Sequence, residues 1–346
     1  MHIYRYPAIY DCSHKVFINL IPSLLRINRQ IKDVNVVKKY ILRRIAIAFI
    51  TLLCILLILY IMMSLMPGSP FNDEKMSKEQ VDALYSKYGL DKPVIYQFFQ
   101  YFIHMLTGDF GVSYSIQTNM PVAQMIATRL PISIQIGLQA AVVGSLIGLI
   151  LGIISALKKN TYVDTIATAI SVIGVSLPSF VFALLLSYFF AFKFDLFPIL
   201  YNTEEKFIST ILPTISMSMF MLASIARYSR SEIVEVMAAD YIALAESKGI
   251  KKSQLIIKHV LRNAVIAVLT VFATLMVELM AGSLVIEKAF SIPGLGSLYI
   301  NAIQSNDYNV VISISFVYSI MFIGVMLLVD ILYGMIDPRI RLAKGA

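Results

Sequence analysis

Charge is scarce in this chain. Asp, Glu, Lys and Arg make up 14% of its 346 residues, while 58% are hydrophobic. An average soluble domain carries roughly 25% charged residues. A water-soluble fold could not hide so much apolar side chain, so lipid must be the solvent for much of it. Cysteine is almost absent. Cys12 and Cys54 stand far apart and supply neither a disulfide framework nor the paired spacing of a metal site. The four histidines, His2, His14, His104 and His259, never pair at ligand spacing, and Cys12-Ser13-His14 has no second ligand pair. No Gly-rich loop followed by Lys is present to cradle a phosphate, which excludes ATP binding in the P-loop manner. No nucleophile–base constellation appears, so a membrane enzyme is disfavoured.

What the chain does have is long apolar runs. Charge-free stretches cover Ile45–Asn72, Leu130–Leu157, Thr165–Phe192, Phe207–Ala226 and Tyr308–Val329, and Asn263–Ile286 holds one charge, Glu278. Each is near or above the ~20 residues that cross a hydrocarbon core. Backbone polar groups must be satisfied internally there, so the expected fold is all-α and polytopic, with about six transmembrane helices. The alternation of a membrane β-barrel is missing. The first apolar run is too long and starts too late for a secretory leader. Pro178, in Ser176-Leu177-Pro178-Ser179, is expected to kink or break the third span.

The net charge of +8 is explained by topology. Segments 1–44, 158–164, 227–262 and 336–346 hold nine, two, seven and three basic residues; the opposite side holds five, two and one, of 29 in all. The excess places both termini in the cytoplasm. No basic segment is long enough to form an independent groove, which argues against nucleic acid as a partner.

The loop between the first two spans is unusually long for a connection. Within it Ile95, Phe98, Phe99, Phe102, Ile103 and Leu106 recur at helical spacing, with Gln97, Gln100 and His104 between them. This predicts an amphipathic helix, too short to span, lying at the membrane surface or on the other helices. A docking surface for an external partner is the alternative. In the N-terminal 40 residues, Phe17, Leu20, Ile21, Leu24 and Leu25 predict at most a short amphipathic helix; this extension receives no role.

Glu278 is the one ionisable residue well inside a span. It reads either as a helix–helix hydrogen bond or as a group on a solute path. An ion-coupled carrier usually needs several such groups, which weakens a stand-alone secondary carrier. Segment 227–262 looks folded. Ile233, Met237, Tyr241 and Leu244 form a stripe at helical spacing. Lys248 suits the negative end of that helix and Gly249 its left-handed stop. Ser253 is expected to cap a second short helix through Leu255 and Ile256. Helix, glycine turn, helix makes an elbow that an outside machine could grip, or a purely structural corner.

These residues resemble a known family. Asp240-Tyr241-Ile242-Ala243-Leu244-Ala245-Glu246-Ser247-Lys248-Gly249, followed by His259-Val260-Leu261-Arg262-Asn263-Ala264, is similar to the "EAA" coupling loop of ATP-binding-cassette importer permeases. The oligopeptide, dipeptide and nickel branch, B-type subunit, fits best. Further blocks agree in order: Arg43-Arg44, Pro67-Gly68-Ser69-Pro70, Tyr88-Gly89-Leu90-Asp91-Lys92-Pro93, Gly108-Asp109-Phe110-Gly111, Val285-Ile286-Glu287-Lys288-Ala289-Phe290, Pro293-Gly294-Leu295-Gly296 and Asp337-Pro338-Arg339-Ile340-Arg341. The broad pattern wants Glu and Ala where Ala243 and Leu244 stand, and Pro at Arg262; these departures look usual for the peptide branch.

The resemblance covers roughly 40–346. It implies a type I importer-permease fold in a bacterial inner membrane, with 1–40 an extension, 41–346 the permease domain, 67–131 an outer loop and 227–262 the coupling loop. It implies Asp240, Tyr241, Ala245, Lys248 and Gly249 as the ATPase-coupling residues. Implied partners are a second homologous permease, two ATP-binding-cassette ATPase subunits and an extracytoplasmic solute-binding protein. ATP and Mg are used by the ATPase subunits, with no cofactor on this chain. The cargo looks most like short peptides, as for oligopeptide permeases; nickel or a metal chelate would keep the same architecture.

Overall fold

The computed structural model describes residues 42–66, 71 and 77–336; the side chains of several α10 residues, Glu278 among them, and of residues 328–336 lie outside this description. The N-terminal extension, the Pro67–Pro70 block and the C-terminal Asp337–Arg341 block also lie outside it. The main body is Leu52–Leu332; residues 42–51 and 333–336 group apart from it.

The apolar runs are helices, with boundaries that differ from the hydropathy limits. Helix α1 covers Leu42–Leu65. Two short helices follow, α2 (Lys78–Tyr88) and α3 (Val94–Leu106). The second span is α4, Val122–Leu157, which starts eight residues before the expected limit and carries Pro131 inside it. The third is broken as expected. Helix α5 (Tyr162–Ser176) ends before Pro178, which begins α6 (Ser179–Leu186). α6 continues as a π-helix over Ser187–Lys193, and the two limbs meet at 106°. Helix α7 is Lys206–Met237. It runs eleven residues past the expected end at Ala226, because charge marks where apolarity stops, not where a helix must. Arg227, Arg230, Glu232 and Glu235 are ordinary helix residues once outside hydrocarbon.

Helix α10 (Arg262–Ala289) covers the fifth apolar stretch in chain order and α12 (Tyr308–Ile336) the last, with α11 (Leu295–Gln304) between them. Among the described residues four helices are long and apolar enough to cross a membrane, or five if the bent pair is one span.

Helices α4 and α7 pack along most of their length. Gly144, Gly148 and Gly152 make this possible. A Cβ at Gly144 would meet the carbonyl oxygen of Ser218 at 2.8 Å, one at Gly148 that of Leu222 at 2.6 Å, and one at Gly152 that of Ala226 at 2.7 Å. Three glycines four apart form a groove into which the α7 backbone fits. Around this pair lies the main core, with Ile136, Ala140, Met217, Met221, Ile225, Leu275, Leu279 and Ile286.

At one end of the bundle the long first loop is pinned to α12. Asp307 is fully buried, and its Oδ2 accepts from Ser113 Oγ (2.5 Å) and from the backbone N–H groups of Tyr114, Ser115 and Ile116. Nearby, Asn309 Nδ2 donates to the Val112 carbonyl at 2.8 Å. Burial pushes the phenols of Tyr101 and Tyr114 up, so both stay protonated. Helix α3 is amphipathic in an unexpected sense. Phe98, Phe102 and Met105 pack on Leu52, Leu56, Tyr60, Ile312 and Phe316, while Ile95, Phe99, Ile103 and Leu106 stay exposed. Its polar members are engaged: Tyr60 Oη donates to Gln97 Oε1 at 2.6 Å. At the same end Glu287, 1% exposed, caps α11, its Oε2 accepting from Gly296 N–H (2.7 Å) and Ser297 N–H (3.1 Å).

Candidate functional site

The other end of the bundle carries the elbow. α7 stops at Met237, Ala238 and Ala239 turn the chain, and α8 (Asp240–Ser247) begins with Ala239 extended at ψ 143°. Alanine is the strongest helix former, so local propensity does not break the chain here; tertiary packing does. Ile233 at the end of α7 and Ile242 on α8 are both buried against Leu255, Val260, Ala264 and Ala156. Burying each large aliphatic side chain contributes about 1.5–3 kcal/mol.

The expected stripe therefore does not run along one helix. Ile233 is 1% exposed, but Met237, Tyr241 and Leu244 are 39%, 46% and 58% exposed. A 3.6-residue period continued through the break places them on the wrong face. The expected Ser253 cap is corrected likewise. Helix α9 is Lys252–Leu255, its N-cap is Lys251 without a side-chain bond, and Ser253 lies inside the helix. From Ile256 to Leu261 the chain is a π-helix that feeds into α10.

The five elbow residues occupy distinct positions. Asp240 stands in the first turn of α8, where a carboxylate faces the positive end of the helix. Tyr241 Oη accepts from Asn263 Nδ2 at 3.0 Å, tying α8 to the start of α10. Lys248 is the C-cap of α8, at φ −77° and ψ 1°, and Gly249 follows at φ +78°. Gly249 N–H donates to the Glu246 carbonyl (2.9 Å) and Ile250 N–H to the Ala245 carbonyl (3.4 Å). This is the paired closure of a Schellman turn, which needs the left-handed residue that glycine supplies. Ala245 is half-buried and packs with Ile250 against the elbow core.

A feature that the sequence reading missed lies behind the elbow. Asp164, in the first turn of α5, is 5% exposed. Arg230 Nε donates to its Oδ1 at 2.6 Å and Nη2 to its Oδ2 at 2.7 Å. Ser155 Oγ of α4 donates to Oδ1 at 2.5 Å and the Asn160 N–H to Oδ2 at 2.9 Å. The available signal is two charges of opposite sign, Asp164 and Arg230, each close to the end of an apolar run.

Deeper in the bundle, a cavity of about 370 Å³ lies against the α5–α6 break, lined by Val175–Ser179, by Met217, Phe220 and Met221 of α7, and by Leu275 and Leu279 of α10. Glu278 lies between those two leucines in sequence; its side chain is outside the description.

Residues 148–342 match the family described as binding-protein-dependent transport system inner membrane component, and 37–137 match that family's N-terminal region. The chain belongs to this family. It is a multi-pass protein of the bacterial inner membrane. A dipeptide transport system permease protein of Lactococcus lactis is 42% identical over 304 residues, 88% of this chain and 99% of the relative. One from Bacillus subtilis is 39% identical, covering 88% and 99%. An oligopeptide transport system permease protein of Escherichia coli is 35% identical over the same shares. A crystal structure of an amino acid ABC transporter with histidines superposes with a TM-score of 0.50 at 15% identity, covering 60% of this chain and 92% of that one; the likeness is one of fold.

Proposed function

We propose that this chain is the transmembrane permease subunit of an ATP-driven, binding-protein-dependent importer of short peptides, with its elbow in the cytoplasm. The elbow carries the reading. It is a folded knuckle, anchored through Ile242 and the Tyr241–Asn263 bond, that leaves Met237, Tyr241 and Leu244 exposed. Exposed apolar side chains on a rigid, water-facing element mark a protein-docking surface. The partner in this reading is an ATPase subunit, one of two that bind and hydrolyse ATP with Mg. Tyr241 and Asp240 present the docking face, Lys248 and Gly249 close the helix, and Ala245 seats it on the bundle.

A second homologous permease completes the pore, and a solute-binding protein delivers cargo to the outer loop 67–131. Glu278 is assigned to the solute path, because its neighbours Leu275 and Leu279 line the cavity at the α5–α6 break. That lining is mostly apolar and includes the adaptable side chains of Met217 and Met221, which suits a permissive path. The relatives' named cargoes support peptides. Residues 1–40 are an extension outside the permease domain 41–346.

The test is growth of a strain lacking this chain, given an essential amino acid only as di-, tetra- or pentapeptide, with nickel uptake followed in parallel. Loss of peptide-dependent growth with nickel uptake intact, restored by the wild-type chain, is the expected result. Normal growth on every peptide with nickel uptake lost would overturn the cargo.

A further inference from the structure

We propose that the Asp164–Arg230 pair is the joint that passes movement of the elbow from α7 to α5, and so to the wall of the solute cavity. This rests on the reading of the elbow as the driven element.

The first observation is convergence. One carboxylate takes donors from α4 (Ser155), from the α4–α5 link (Asn160 N–H) and twice from α7 (Arg230). Arg230 stands two turns before Met237, where α7 ends and the elbow begins. Displacement of α8 therefore bears first on the part of α7 that holds this guanidinium. The two-pronged contact is planar and fixes direction as well as distance, which a lysine could not do.

The second observation is a gap beside the pair. A cavity of about 290 Å³ opens between α4, α5 and α7, with Leu151, Ala167, Ser171, Ala226 and Arg230 among its lining. Apart from the arginines, the side chains that α5 and α7 bring to it are small: Ala167, Thr168, Ser171 and Ala226. The tie between them here is therefore polar, and a polar tie can part and re-form as a unit, whereas close packing cannot.

The third observation is asymmetry. Asp164 has a side-chain exposure of 7% and Arg230 of 31%. When the pair parts, the guanidinium can turn to the cavity and water, while the carboxylate keeps Ser155 and the Asn160 N–H. Both arrangements leave the buried charge hydrogen-bonded. From Asp164, α5 runs unbroken to Ser176, where Val175 and Ser176 already line the cavity at the break. One rigid helix thus joins the pair to the proposed path.

Asp164 and Arg230 are positioning residues in this scheme, so the test must separate coupling from folding. The full transporter, with both permeases, its ATPase subunits and binding protein, is reconstituted in vesicles. Peptide uptake and ATP hydrolysis are measured together for wild type, Arg230→Lys, Asp164→Asn and Ser145→Ala. Expected for Arg230→Lys and Asp164→Asn is a normally assembled complex. Its hydrolysis stays near wild type while peptide imported per ATP falls at least about fivefold, the lower range of measured coupling energies. Ser145→Ala, which removes a hydroxyl bonded only within α4 and leaves every donor to the carboxylate in place, should keep the wild-type ratio. The proposal is overturned if uptake and hydrolysis fall in parallel, if both stay at wild type, or if Arg230→Lys fails to assemble, which would make the pair a folding requirement. Peptide uptake by the wild-type vesicles tests the underlying reading separately. If wild type imports no peptide, that reading fails; the joint is then read from the binding-protein stimulation of hydrolysis, which Arg230→Lys should alter and Ser145→Ala should not.

Discussion

Asn263 Nδ2 donates to Tyr241 Oη at 3.0 Å and so bridges the two arms of the elbow, 22 residues apart. The bond is exposed, and such bonds contribute about 0.5–1.5 kcal/mol. Tyr241→Phe keeps the ring and loses only this bond; it should leave abundance unchanged and lower uptake by roughly two- to tenfold at most. Tyr241→Ala also removes the exposed ring of the proposed docking face and should lower uptake much further. Parallel uptake assays on the two variants check the order.

Gly249→Val meets no side chain, since nothing lies within 4 Å of the added Cβ. Its cost is in the backbone at φ +78°, about 1–3 kcal/mol for a residue forced into that region. The variant should insert at normal abundance and lose uptake, while Gly249→Asn should retain much of it. Normal uptake by the valine variant would remove the left-handed turn from the mechanism.

Gly148 is the opposite case, with φ ordinary and space absent. Even alanine must displace the Leu222 carbonyl, 2.6 Å from its Cβ, at a cost of about 1–3 kcal/mol or more. Gly148→Leu should yield almost no protein in the membrane, and Gly148→Ala should lower the unfolding temperature in detergent.

Glu287→Ala leaves the N–H groups of Gly296 and Ser297 without this acceptor at the start of α11. A buried unsatisfied donor costs about 1–3 kcal/mol. Thermal unfolding should therefore show a clear loss for alanine and a smaller one for glutamine, which keeps an acceptor oxygen.

Glu278→Gln should leave uptake largely intact, because on a permissive path the position needs a polar side chain and not its charge. Complete loss of uptake, with the ATPase subunits still bound, would show that the charge itself meets the solute. Uptake together with co-purification decides between them.

Much of the architecture was legible because lipid demands apolar length, and that demand is written residue by residue. Pro178 was legible for a similar reason, since its missing N–H acts locally. The elbow was half legible. Gly249 announces its turn by chemistry, but the break at Ala238–Ala239 comes from packing of Ile233 and Ile242 against distant partners. No local preference encodes it. The Asp164–Arg230 pair was hidden because its members are 66 residues apart and each looks like an ordinary charge at a span end. The Gly144–Gly148–Gly152 series was readable from its spacing, but only the α7 backbone says which helix fills it.

That series has a mechanical meaning. With three α7 carbonyls lodged where side chains would otherwise stand, α4 and α7 cannot slide past one another without collision. They form a single strut that transmits force along its length and resists shear. Any stroke that reaches α7 then carries α4 with it, and the bent corner between α5 and α6 is where the chain can yield. Where this protein can bend is set by the pair that cannot shear.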